Sequence, residues 1–283
     1  MRVIQNGRSV FASDCGGVSG KHPSYRSRFS ASSLAHVAVG VLLSAAFATD
    51  VSAQKPPAGM LRALAESGSR FEQARQRYTY TRHFRFHEID RQGRLSGSYD
   101  EVREVLFSPE GQRIEQFVGR PHDRLKDIRL TEEDFRDLRE VQPFVLTQDT
   151  LWRYELRFKG LEEIGGEFCY VFRLTPRQVL EGQRVLDGMI WVSREHEQIV
   201  KVAGKPLPQI HRSNHQNLFP QFATIYEEVD EGLWFPVKTV ASDILPFRTG
   251  GQAVKYTIDY EKYQRFQAES TVTFGDELPD SPP

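Results

Sequence analysis

From Tyr78 the chain alternates: Tyr78, Tyr80, Phe84 and Phe86 share one phase, while Thr79, Thr81, His83, Arg85 and His87 share the other. Successive side chains of a strand point to opposite faces, so the pattern predicts a strand with an aromatic side and a polar, basic side. The alternation recurs. Trp152, Tyr154, Leu156 and Phe158 interleave with Arg153, Glu155, Arg157 and Lys159, and Val254, Tyr256, Ile258 and Tyr260 with Lys255, Thr257, Asp259 and Glu261. Phe168, Tyr170, Phe172 and Leu174 add a further stripe.

Between the stripes lie short turn signals such as "DRQGR", "SPEG" and "EEIGGE". About ten strands are predicted, and connections this short require antiparallel neighbours. Two helices are expected. One covers 58–77, where Leu61, Leu64, Phe71 and Ala74 fall near helical spacing. The other covers 132–141, with Thr131 as N-cap and Asp134 three residues on, where a capping box usually has Glu or Gln. Pro236 within "LWFPVKTV" predicts an edge strand or a bulge. The pattern gives one α+β domain: a strongly curved antiparallel sheet with helices on one side.

Aromatic stripes usually form core. Here the rings outnumber what two helices cover, which predicts a partly filled apolar cavity. The rings expected to face it are Tyr80, Phe84, Phe86, Trp152, Tyr154, Phe158, Tyr170, Phe172, Tyr256 and Tyr260. His83, Arg85 and His87 are expected to face outward.

The N-terminus changes the setting. "LAHVAVGVLLSAAFA", 34–48, is an uncharged run preceded by Lys21, Arg26 and Arg28 and followed by Val51 and Ala53 at small-residue cleavage positions. It reads as a secretory signal peptide, too short for the roughly 20 apolar residues of a membrane span. A leader of 1–53 is long, implying an extended n-region or an upstream start. A domain over 54–268 and a disordered tail over 269–283 complete the expected organisation.

Removing the leader takes away five of 37 basic and two of 38 acidic residues and leaves a net charge of −4. That balance offers no footprint for nucleic acid, although aromatics beside His83 and Arg85 invite the idea. Cys169 then stands alone, so no internal disulfide forms. His83 and His87 lie four strand residues apart, about 13 Å, too far to share a metal ion. His211 and His215 lack the Glu of a zinc-hydrolase motif. G-x-S-x-G is absent, and Cys169 sits in an apolar strand. These features predict no cofactor, no metal and no catalytic group.

The segments "GGEFCYVFRLTP" and "DGMIWVSREHEQIVKVAG", with the later "NLFPQF" and "GLWFPVKTVASD", resemble the LolA/LolB-type outer-membrane lipoprotein-sorting superfamily over 61–266. The long central segment and the "KPLPQIHRSNHQNLFPQ" loop depart from the sorting chaperones, and none of the family's functional residues is carried over. The resemblance implies an incomplete β-barrel with covering helices, and a non-catalytic periplasmic carrier or receptor for a lipid or lipoprotein acyl chain. It also leaves room for an inner- or outer-membrane protein partner. The alternative is a periplasmic sensor or protein-interaction domain on the same scaffold.

If the leader is cleaved after Ala53, mass mapping of periplasmic material will find an N-terminus at Gln54, cyclised or not. An intact 34–48 segment in the membrane fraction would mean that it is an anchor.

Overall fold

The computed structural model describes residues 55–211, 216–217 and 219–266. The expected leader, the tail and the His211/His215 pairing lie outside the described residues. Among the described residues no helix is long and apolar enough to cross a membrane.

The chain opens with helix α1 (Met60–Ala74) and a 3-10 turn, then the strands β1 (Tyr78–Ile89), β2 (Leu95–Phe107), β3 (Arg113–Phe117) and the short β4 (His122–Asp123). Helices α2 (Glu132–Glu140) and α3 (Gln148–Leu151) occupy the centre. Strands β5 (Tyr154–Ile164), β6 (Glu167–Pro176), β7 (Val185–Ser193) and β8 (Ile199–Leu207) follow. A small pair, β9 (Ile210–His211) and β10 (Gln216–Asn217), precedes β11 (Phe222–Asp230), β12 (Leu233–Phe247) and β13 (Gly250–Arg265).

Eleven strands make one sheet in the order β3-β2-β1-β13-β12-β11-β8-β7-β6-β5, with β4 beside β2 and every pairing antiparallel. The first long strand therefore pairs with the last. The sheet is open, ending at β3 and β5. Pro236 lies in an interior strand, where Ile225 opposes Lys238 and Tyr226 opposes Pro236, leaving Val237 as the extra residue of a bulge.

Along β1 burial alternates strictly, with Tyr78, Tyr80, Phe84 and Phe86 buried. Two charged residues share that phase. Arg82 is 1% exposed and Glu88 0%. On the opposite face His83 Nε2 lies 2.9 Å from Asp100, and Arg85 bonds Thr257 at 3.3 Å and pairs with Asp259. Two of the three basic residues of that face thus meet a carboxylate.

Trp152 departs from the expected alternation. It caps the C-terminus of α3 rather than lying on β5, and is 69% exposed. The strand begins two residues later because 147–151 form a capped helical turn, Thr150 Oγ1 accepting the Thr147 N–H at 2.9 Å. Phe168 is likewise 60% exposed, at the turn-proximal end of β6.

Glu88 fixes the path into the centre. Its carboxylate accepts the backbone N–H groups of Lys126, Asp127 and Ile128 at 2.9, 2.8 and 2.6 Å. To reach them it passes over its cross-strand partner Gly97, where any Cβ would collide with Glu88 Oε2. A buried carboxylate needs hydrogen-bond partners, and here three backbone N–H groups supply them.

At α2 the expected cap is present: Thr131 Oγ1 accepts the Asp134 N–H at 3.3 Å, and Asp134 Oδ2 accepts the Thr131 N–H at 2.6 Å. Asp replaces the usual Glu of the box. Burial outweighs the Thr131 hydrogen bonds and pushes the Asp134 carboxyl up to about 6 from 3.8.

Two outcomes follow for stability. Glu88→Ala removes one carboxylate that accepts three backbone N–H groups and should cost about 3 kcal/mol in denaturant unfolding. Gly97→Ala should also destabilise, but less so in the Glu88→Ala background; strict additivity would show that the two residues do not share one space.

The raised carboxyl of Asp134 makes the folded state bind its proton more tightly than the unfolded chain does. Its contribution is therefore most favourable below the unfolded value and declines as pH rises to about 6. Relative to Asp134→Asn, the native protein should lose on the order of 3 kcal/mol between about pH 4 and pH 7. A pH-independent difference in unfolding free energy would refute this.

Candidate functional site

Of the ten rings predicted to share a surface, the sheet brings nine into one cluster. Tyr80, Phe84, Phe86, Tyr154, Tyr170, Phe172, Tyr256 and Tyr260 are each at most 8% exposed, and Phe158 packs against the same cluster at partial exposure. Trp152 lies outside it. Phe84 meets Tyr256 edge-on at 5.8 Å and Phe86 stacks on Tyr256 at 6.4 Å. Farther along the sheet Phe158 meets Phe172 and Tyr170 at 5.8 and 6.2 Å.

The cover over this face comes from three places. Met60 and Leu64 belong to α1 and Leu138 to α2; Val141, Phe144 and Leu146 come from the irregular stretch 141–147 between α2 and α3. Phe144 sets its ring against Tyr154 at 5.8 Å. Gly68 of α1 lies against the Leu146 carbonyl, a place where a side chain would collide.

Hydrogen bonds from the sheet hold that stretch. Gln142 is fully buried; its Nε2 donates to Tyr256 Oη at 2.7 Å, and its carbonyl accepts Thr224 Oγ1–H at 3.2 Å. Tyr226 Oη donates to the Phe144 carbonyl at 2.9 Å. Thr224 shares a 2.8 Å hydrogen bond with Thr239, which lies 3.2 Å from Tyr260 Oη. Burial raises the phenols of Tyr226 and Tyr256 well above 10, and that of Tyr260 to about 12, so all three remain neutral hydroxyls.

Two small spaces lie between cover and rings among the described residues. A cavity of about 30 Å³ borders Leu64, Phe71, Phe144 and Tyr226, and another of about 20 Å³ borders Phe71, Tyr80, Phe107 and Phe235. Ligand pockets run to roughly 300–1,000 Å³. In these two places the expected cavity is filled by the chain itself, because 141–147 supplies apolar volume that helix counting omits.

A second feature was not anticipated. At the β1–β3 end the same face carries an ionic cluster: Arg82 Nη2 lies 2.9 Å from Glu101 and 3.1 Å from Glu115, and Arg103 Nε lies 3.0 Å from Glu101. Arg113 Nη2 lies 2.7 Å from Glu115. Tyr99 Oη donates to Glu101 at 2.9 Å, and its phenol is raised by burial and by that carboxylate. Three arginines against two glutamates leave one excess positive charge. The signal was in the sequence, since Arg82 shares the phase of Tyr80 and Phe84.

Outside the cover runs a groove of about 830 Å³ between α1, the start of β3, the 139–154 stretch and the start of β7. Its walls are more polar than apolar in kind, with five arginines among them. As for chemistry, burial and the Glu167 charge push the Cys169 thiol up to about 11, away from the thiolate a nucleophile requires.

No family model matches the chain, and no curated protein matches it. Among solved structures it is similar to a DUF1329 family protein from Desulfovibrio piger ATCC 29098, at 14% identity over 75% of this chain and 95% of that one, TM-score 0.37. It is similar to the LolA superfamily protein NE2245 from Nitrosomonas europaea, at 17% identity over 75% and 99%, TM-score 0.30. A third is an outer membrane lipoprotein-sorting protein domain from Vibrio parahaemolyticus, at 10% identity over 70% and 90%, TM-score 0.31. At these scores the fold stands on this chain's own strand order and register.

Proposed function

We propose that this chain is a non-catalytic periplasmic binding protein built as an incomplete β-barrel, whose aromatic face takes a lipid or lipoprotein acyl chain when the 141–147 stretch withdraws. The observation that carries the reading is the nature of the cover. Part of the cover over the nine rings is an irregular stretch held by side-chain hydrogen bonds with Tyr226, Tyr256 and Thr224 and by no strand pairing. Such a cover opens without breaking the sheet.

Magnitudes set the strength of binding. Exposing Val141, Phe144 and Leu146 costs about 5–9 kcal/mol at roughly 1.5–3 each. An acyl chain of about 15 methylenes gains on the order of 12 kcal/mol gross at about 0.8 per methylene. The small surplus is reduced further by association, so uptake is weak and reversible, as handing on a cargo requires. The filled face favours the second reading, an interaction domain whose partner docks elsewhere on the same scaffold.

Titration with a fluorescent fatty acid separates the two, alongside native mass spectrometry for co-purified lipid. Tyr226→Phe loosens the cover by about 1 kcal/mol and should raise the affinity for the probe about fivefold. Phe86→Ser and Phe158→Ser, where thermal unfolding shows them folded, should lower it more than Arg85→Gln or Arg157→Gln. Unchanged binding across all folded variants would show that the rings are core only and leave the interaction domain.

A further inference from the structure

We infer that the groove beside the cover is a binding site for a phosphate or carboxylate anion, held by Arg113, Arg139 and Arg153. The groove's volume of about 830 Å³ is that of a small-molecule site.

Charge supplies the first argument. Arg75, Arg113, Arg139, Arg153 and Arg184 line the groove against Glu72, Glu140 and Asp149. Two of the five are committed locally: Arg75 pairs with Glu72 at 3.0 Å, and Arg184 with the buried Asp137. Arg139 reaches Glu132, a carboxylate 78% exposed, through a pair that water weakens. Arg153 is exposed beside Trp152, its guanidinium 5.6 Å from the ring centre.

Arg113 supplies the second. It belongs to the buried cluster with one excess positive charge, and it is the member of that cluster that also lines the groove. Its Nη1 donates to the Arg139 carbonyl at 3.1 Å, which sets the two guanidinium-bearing residues side by side. Its Nε–H is buried without an acceptor. An uncompensated buried charge is costly, and an anion in the groove would offset it while giving planar donors their preferred partner.

Continuity identifies the source. Phe144 and Val145 line both the groove and the 30 Å³ space over the rings, so an anion at the arginines sits at the mouth of the path that the cover closes. The anion is then the headgroup of the amphiphile whose chain enters beneath. This last step rests on the acyl-binding reading; the anion site itself does not.

Three probes distinguish these possibilities by calorimetry: palmitoyl lysophosphatidic acid, palmitoylglycerol and glycerol phosphate. Lysophosphatidic acid should bind about tenfold more tightly than palmitoylglycerol in dilute salt, as one or two charge-assisted hydrogen bonds provide. The preference should shrink in strong salt. Arg139→Gln with Arg153→Gln, both at positions that keep the fold, should bring lysophosphatidic acid down to the affinity of palmitoylglycerol. Glycerol phosphate binding with neither lipid bound would keep the anion site and sink the acyl reading. Equal lipid affinities without glycerol phosphate binding would overturn the anion site and leave acyl binding standing. A preference that persists in the double variant would overturn the assignment to these arginines, and no binding by any probe would overturn both.

Discussion

An irregular stretch of backbone lying on an apolar sheet must find hydrogen-bond partners there, and the centre of this protein is organised by that requirement. Glu88 satisfies the N–H groups of 126–128 before the chain enters α2, and Tyr226 and Thr224 satisfy the carbonyls of 142 and 144 after it leaves. Each polar residue sits in an otherwise apolar phase of its strand because the cover, not the sheet, needs it there. Gly97 is part of the same solution, since a side chain opposite Glu88 would block the carboxylate.

The same face therefore has two characters. Around Phe84, Phe86 and Tyr256 it is a packed aromatic layer; toward β3 it becomes an ionic network of Arg82, Arg103 and Arg113 with Glu101 and Glu115. Buried pairs of this sort add little net stability, because desolvation consumes most of the Coulomb gain. Their persistence beside a groove is easier to understand as charge placed for a ligand than as glue. In the function proposed above, an apolar chain on one side and an anion on the other would make an amphiphile the ligand.

Much of the fold was legible in the chain. Period-2 alternation marked β1, β5, β6 and β13, turn residues separated them, and the Thr131–Asp134 pair marked the start of α2 within a residue. Pro236 signalled a bulge, which it is, in an interior strand. Trp152 was misplaced by extending the alternation of β5 backwards through a helical turn, where local capping by Thr147 and Thr150 overrode the pattern.

What the sequence by itself determined is which residues share a face, because side-chain direction in a strand depends only on counting by two. Arg82 and Glu88 fall in the same count, although the expectation named only the aromatic members of that phase. What only the tertiary structure decided is what meets that face. Whether nine rings line a cavity or a core depends on where 141–147 lies, and its placement comes from contacts between residues as far apart as Gln142 and Tyr256. Contacts over such separations leave no periodic trace, so the filling of the site and the arginine groove beside it appear only once the chain is folded.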